Sequence, residues 1–295
     1  MLQALSFGVS VVPTADIDEN RAVVAAAERA GLDLVGVQDH PYVADYLDAF
    51  ALIGDFIAHT RKISFFPDVA NLPLRPAPML ARQASALSRL SNGRFHLGLG
   101  AGGYWDAITK LGVPRRSPKE ALAAQAEAIE LMRALWQPRQ NVTTQGDWYS
   151  VSRLTSQPPA PGGVEIWVGA QGPRSLALTG RAADGWAAPI PSYLPYEKWA
   201  GSNALIDRAA TEAGREPGSV RRIAQLVGTI TDTPGPVDLQ GSAPIRTDAQ
   251  GWADVLTKLA MQSFTGFVLW PEGDAADQAH RFGEEVAPVV RVRLD

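Results

Sequence analysis

The sequence predicts a (β/α)8 barrel. Eight short apolar, strand-like runs alternate with helical stretches along one chain of 295 residues, the order that builds a parallel sheet with helices outside it. A doubly wound open sheet is the rival architecture, but no phosphate-binding glycines follow the first strand. Barrels of this type run to about 250 residues or more as one unit. Residues 1–295 are therefore expected to form a single domain.

The elements follow in order. Leu5 to Val12 is apolar and β-branched and stops at Pro13. Glu19 to Ala30 is expected to be helical, rich in Ala and Glu and ended by Gly31. Asp33 to Val37 reads as the second strand, Tyr46 to His59 as the second helix and Ile63 to Val69 as the third strand. Pro76 to Leu90 is the third helix, with proline in the first turn, where a missing N–H costs nothing. Phe95 to Leu99 is the fourth strand. Pro118 to Trp136 is the longest helix, with an apolar stripe through Leu122, Ile129, Met132 and Trp136 near the 3.6 period. Pro138 to Gly163 breaks the rhythm and reads as a short hairpin-like insertion after the fourth helix. Strand Glu165 to Val168, helix Arg174 to Arg181, strand Gly185 to Ala188 and helix Tyr196 to Ala213 resume it. Strand Ile223 to Thr229 leads into a second insertion rich in Pro and Gly, Asp232 to Pro244. Helix Ala249 to Leu259, strand Gly266 to Trp270 and helix Asp274 to Val286 close the pattern.

Composition narrows the function. With 27 Lys and Arg against 31 Asp and Glu, no global basic field exists to release counterions from nucleic acid, so a nucleic-acid partner is not expected. No run of about 18 apolar residues occurs, so neither is a membrane span. The start, MLQALSFGVS, lacks the positive n-region and cleavage signal of an export peptide. Zero cysteines exclude thiolate catalysis, disulfides and Cys-type metal sites and fit a cytoplasmic protein. The four histidines include no HExxH pair, and no metal is expected.

A barrel places its chemistry at the C-terminal strand ends and the loops that follow. The second strand ends in Asp39-His40: an imidazole that titrates near neutrality beside a carboxylate acceptor. A surface or loop-stapling role is the plainer reading. The third strand ends in Ala70-Asn71, where an amide can meet a planar heterocycle or cap the next turn. The fourth runs into Gly100-Ala101-Gly102-Gly103, whose bare backbone a ring or pyrophosphate can approach closely, followed by Tyr104-Trp105-Asp106. After the fifth come Gly169-Ala170-Gln171-Gly172-Pro173-Arg174-Ser175. Glycine, a helix start, a hydroxyl and a guanidinium together suit one phosphate; an ordinary Gly/Pro turn with a Ser cap is the alternative. His59 sits at a helix end, His96 faces either the helices or the core, and His280 belongs to the final polar helix.

These segments together bring a family into view. Gln38-Asp39-His40, the run from Ser91 to Gly102, and Gly169 to Leu176 with Ala183-Asp184-Gly185-Trp186 resemble the bacterial luciferase-like superfamily of flavin- or deazaflavin-dependent oxidoreductases. The resemblance spans nearly the full chain. It implies a TIM barrel with the cofactor ring over its C-terminal mouth, beside Ala70 and Asn71, where the family often bulges the third strand with a non-proline cis bond. It implies that Gly100 to Gly103 flank the cofactor tail and that Gly172, Arg174 and Ser175, with Gly169, Ala170 and Pro173, hold its phosphate. Asp39-His40 is similar to the branch using coenzyme F420, in which the histidine meets the substrate and assists proton transfer; FMN is the alternative cofactor. Many members of that branch carry a glutamate shortly after the fourth-strand glycines. Here Asp106 is the nearest carboxylate, so the second acid is open. The resemblance further implies homodimers built on Tyr46–His59 and Pro76–Leu90, a small-molecule substrate, and room for a separate cofactor reductase. A flavin-type ring performs the hydride transfer itself, so no nucleophilic triad is required. FMN-dependent oxygenation and a non-catalytic flavin-binding homologue are the competing readings. A glycoside hydrolase would need Asp39 and Asp106 to pair.

Overall fold

A computed structural model of the chain describes residues 4–155 and 157–294. Eight parallel strand positions form the barrel. In chain order they are β1 (Ser6–Val11), β2 (Leu34–Val37), β3 (Ser64–Pro67) continued after a break by β4 (Ala70–Asn71), β5 (Leu97–Gly100), β8 (Ile166–Gly169), β9 (Gly185–Ala187), β10 (Arg221–Ile230) and β12 (Gly266–Pro271). Between β5 and β8 lies an antiparallel hairpin of β6 (Asn141–Gln145) and β7 (Ser150–Thr155), where the sequence places an insertion. After β10, β11 (Ile245–Thr247) adds beside it in parallel. The sheet runs β3-β2-β1-β12-β10-β9-β8-β5-β4. It closes where Phe65 bridges to Phe95, with the Phe65 N–H on Arg94 O and the His96 N–H on Phe65 O, both 2.9 Å.

Helices cover the outside: α1 (Ile17–Arg29), α2 (Ala49–His59), α3 (Ala77–Leu90), the short α4 (Trp105–Ile108), α5 (Pro118–Trp136), α6 (Pro173–Ala182), α7 (Trp199–Glu212), α8 (Ala249–Ala260), α9 (Ala275–Arg281) and α10 (Ala287–Leu294). Side-chain caps set several starts. Asp16, Asp48, Asp248 and Asp274 each accept backbone N–H groups of the first turn, and Ser117 with Glu120 forms a capping box on α5.

The strands sort their residues by alternation. Phe7, Val9 and Val11 belong to the large core cluster shared with the helices. Inside the barrel a second cluster holds Leu34, Phe66, Trp167, Ala187, Ile223 and Val268. This inner layer is a packed plug, and it lifts the open space to the C-terminal mouth.

Three expectations need correction. The third strand is not continuous to Val69: it stops at Pro67 and pairing resumes at Ala70, with a cis Asp68–Val69 peptide between them, the feature the resemblance implies for this strand. The second helix starts at Ala49, because Asp48 caps it through the Phe50 and Ala51 N–H groups. The loop after the fourth strand also carries the short α4, a helix the sequence reading does not give. The last helix runs past Val286 through a π turn, Phe282–Val286, to Leu294. Among the described residues no helix is long and apolar enough to cross a membrane.

Candidate active site

A cavity of about 650 Å³ opens at the C-terminal mouth, the size and place expected for a small-molecule site. It gathers most of the residues singled out by the sequence. Asp39 and His40 from the end of β2, Ala70 and Asn71 from β4, Gly100 to Gly103 after β5, and Gly169, Gly172, Pro173, Arg174 and Ser175 after β8 all line it. Ala170 does not line it. That residue is buried, and its carbonyl accepts the Trp186 indole N–H at 2.8 Å.

Asp106 is displaced as well. Its side chain is 96% exposed and ion-paired with Arg115, because α4 turns it outward from the mouth. It therefore cannot pair with Asp39 across the cavity, which removes the arrangement a glycoside hydrolase would use.

Asp39 is 3% exposed and fully engaged. It accepts the Asn71 N–H at 2.8 Å and both arms of Arg75, at 2.8 and 2.6 Å. Arg75 also reaches Asp48 at 2.7 Å and lies 4.4 Å over the Phe50 ring. A bidentate guanidinium–carboxylate pair with an added N–H is rigid. It ties the end of β2 to β4 and to the start of α2. Asp39 thus fixes the ends of these strands, and His40 with them.

His40 is half-buried at the rim. Its Nδ1 lies 2.6 Å from the Tyr42 hydroxyl, and Nε2 has no partner among the described residues. Burial pulls its pKa below the ordinary value and so favours the neutral ring, opposed by the Asp39 charge. Burial also raises Tyr42, with Tyr104, Tyr193 and Asp39 adding to the effect. Tyr104 and Tyr193 share a hydroxyl–hydroxyl hydrogen bond. The rings of His40, Tyr42 and Tyr104 stand 5.5–6.1 Å apart in tilted and edge contacts, so the rim is an aromatic wall with polar tips.

Two of the glycines on β5 also serve the barrel itself. A Cβ on Gly98 would come 2.1 Å from Pro67 O, and one on Gly100 would come 2.8 Å from Val69 Cγ2. Both make room for the broken third strand. Gly102, at φ +97°, holds a turn that L side chains avoid, whereas Gly103 has open space around it.

At the start of α6, Gly172 is the N-cap and its N–H donates to Ser175 Oγ at 3.2 Å; that hydroxyl donates back to Gly172 O at 2.9 Å. Arg174 is exposed and has no ion-pair partner among the described residues. One free guanidinium beside a helix start is chemically suited to an anion.

Several lining residues escape sequence reasoning: Tyr42, Asp68, Gln125, Tyr193, Gln225 and Trp270. Asp68, Gln225 and Trp270 do carry a signal. Each is two residues beyond an inner-cluster residue (Phe66, Ile223 and Val268), so each is in the same inward phase, one step nearer the mouth. Gln125, whose Nε2 donates to Leu99 O at 3.0 Å, and Tyr193 carry none. His96 faces inward at the opposite end, stacked 4.5 Å from Trp167, and burial lowers it to about 4.

Four buried polar atoms of cavity-lining residues lack a hydrogen-bond partner: Asp68 Oδ2, Asn71 Oδ1, Gln125 Oε1 and Trp270 Nε1. Buried polar groups are normally satisfied. A ring with both carbonyl and N–H groups on its edges fits such a set of donors and acceptors.

Barrel and mouth cavity define a class. The chain belongs to the luciferase-like monooxygenase family, which matches residues 3–247. Among its relatives is the F420-dependent glucose-6-phosphate dehydrogenase of Beutenbergia cavernae, 35% identical over 173 residues, covering 56% of this chain and 50% of the relative. The chain spans about half the length of the curated relatives it matches first. Among the solved structures that share the fold, two illustrate its range. An F420-dependent secondary alcohol dehydrogenase bound to an F420–acetone adduct has a TM-score of 0.84, with 18% identity over 98% of this chain and 99% of the other. The oxygenating constituent of 3,6-diketocamphane monooxygenase from Pseudomonas putida, bound to FMN, has a TM-score of 0.74 and 18% identity, covering 97% and 98%.

Proposed function

We propose that this protein is an oxidoreductase that uses coenzyme F420 to move a hydride to or from a small organic substrate. The observation that carries the reading is the mouth cavity, with His40 at one side and the Gly172–Ser175 turn at the other. Relatives in sequence that are named as F420-dependent favour F420 over FMN.

In this reading Arg174 and the first N–H groups of α6 hold the cofactor phosphate. Ala70, Asn71 and Gly100 to Gly103 border the ring and its tail. The bound deazaflavin supplies hydride chemistry; the chain's own residues bind, orient and manage a proton. His40 does the last. Tyr42 engages Nδ1, which leaves Nε2 to take a proton from a substrate hydroxyl or to return one to a carbonyl oxygen. Asp39 serves as a positioning residue, holding the strand end that carries His40.

A side-by-side fluorescence titration of the purified protein with oxidised F420 and with FMN tests the reading. Tight, saturable quenching by F420, with FMN at least about tenfold weaker, is the expected result. Tight FMN binding with no F420 binding would reverse the cofactor assignment.

A further inference from the structure

Below the mouth, one carboxyl stands apart from the proton route through His40. Asp68 lies in the break between β3 and β4, 6% exposed, yet it lines the cavity. Its Oδ1 accepts the Gln225 amide N–H at 2.6 Å, and its Oδ2 has no partner. Gly36 makes room for this oxygen: a Cβ there would sit 2.9 Å from Asp68 Oδ2. The rings of Phe66 and Trp167, 5.0 Å apart, lie in the apolar layer beneath.

Among the described residues no cation pairs with this carboxyl. The other charged or titratable groups of the cavity are Asp39, tied to Arg75; His40, bonded to Tyr42; the Tyr104–Tyr193 pair; and Arg174. None of them bonds to Asp68. Burial pushes its pKa up to about 7, with the Gln225 hydrogen bond opposing, so a substantial fraction is neutral at physiological pH. A neutral carboxyl whose Oδ1 already accepts has an O–H left to give from Oδ2. Left unused in a buried site, that donor costs free energy.

We propose that Asp68 is a ligand contact of the cavity floor: its neutral carboxyl, steadied by Gln225, donates a hydrogen bond from Oδ2 to a carbonyl oxygen or ring nitrogen of the bound cofactor ring. Ionisation removes the donor and sets a negative charge against an acceptor. Ring binding is therefore coupled to the protonation of Asp68. The inference rests on the cofactor reading above.

The test measures dissociation constants of F420 and of FMN, by fluorescence, from pH 6 to 8.5 for wild type and Asp68→Asn. Asparagine keeps a donor and cannot ionise. The ring's own titration affects both proteins and cancels in their ratio. The expected result is near-equal affinity at pH 6, with wild type falling behind by about tenfold for each pH unit above 7. Asp68→Ser, which keeps a hydroxyl donor, serves if the asparagine variant does not fold. A ratio that stays flat with pH for whichever cofactor binds overturns the proposal. Binding of FMN alone with the pH-dependent ratio intact would overturn the cofactor choice and leave the Asp68 contact standing; binding of neither would sink both.

Discussion

His40 carries the proposed chemistry, and its environment makes the prediction specific. Its Nδ1 is spent on Tyr42 and burial favours the neutral ring, so one nitrogen remains to exchange a proton. His40→Ala is expected to lose ~10²–10⁴-fold in turnover with a modest change in cofactor affinity. Arg174→Ala should do the reverse, weakening the cofactor while the saturated enzyme turns over nearly as before. The two variants are compared by steady-state kinetics and by titration of the same preparations. Asp68 adds a stability prediction in the protein without cofactor. Its folded pKa of about 7 exceeds the value of about 3.9 for an unfolded aspartate, so the unfolded chain ionises first. The contribution is fully present below about pH 4 and is lost as pH rises towards 7, on the order of 4 kcal/mol at most. Urea unfolding at pH 5 and pH 8 checks this: Asp68→Asn should gain on wild type at the higher pH, and a constant difference would contradict it.

At the scale of elements, the break in the third strand organises the site. Pro67 ends β3, Asp68 and Val69 cross the gap, and Ala70 and Asn71 resume pairing with β5. Pro67 and Asp68 within the run from Ile63 to Val69 hint at an interruption, but the run alone does not fix where the strand stops, because that depends on neighbours far away in sequence. Gly98 and Gly100 on β5 are those neighbours, and their bare Cα atoms accept the displaced chain. Gly98→Ala would bring a Cβ against the Pro67 carbonyl. It is expected to cost about 3 kcal/mol, read as a shift in the urea midpoint. The same logic separates Asp39 from Asp106, which the sequence presents as comparable acids. The first is held by Arg75, 36 positions away; the second is carried outward by α4, a helix too short to leave a period in the sequence. Strand phase made Asp68, Gln225 and Trp270 recoverable in principle, because a polar or aromatic residue two positions past an inner-layer residue points to the mouth.

For the whole molecule, the barrel was legible because eight strand–helix repeats sum many weak local signals. Element ends were less so: caps such as Asp48 moved helix starts by a few residues. The homodimer suggested by resemblance remains a proposal, with α2 and α3 as its surfaces; Met79 and Leu90 on α3 are apolar and exposed. Light scattering at micromolar concentration should give about twice the 31.6 kDa chain mass, and a monomer mass would contradict it. The central claim is that the mouth transfers a hydride through a deazaflavin. Its most direct measurement follows the absorbance of reduced F420 under strict anaerobiosis, with aldehydes, ketones and activated alkenes offered in turn. The account predicts oxidation of the cofactor that needs protein and acceptor but no oxygen, and that largely disappears in His40→Ala. Turnover that requires FMN and molecular oxygen, with reduced F420 untouched by every acceptor, would contradict it.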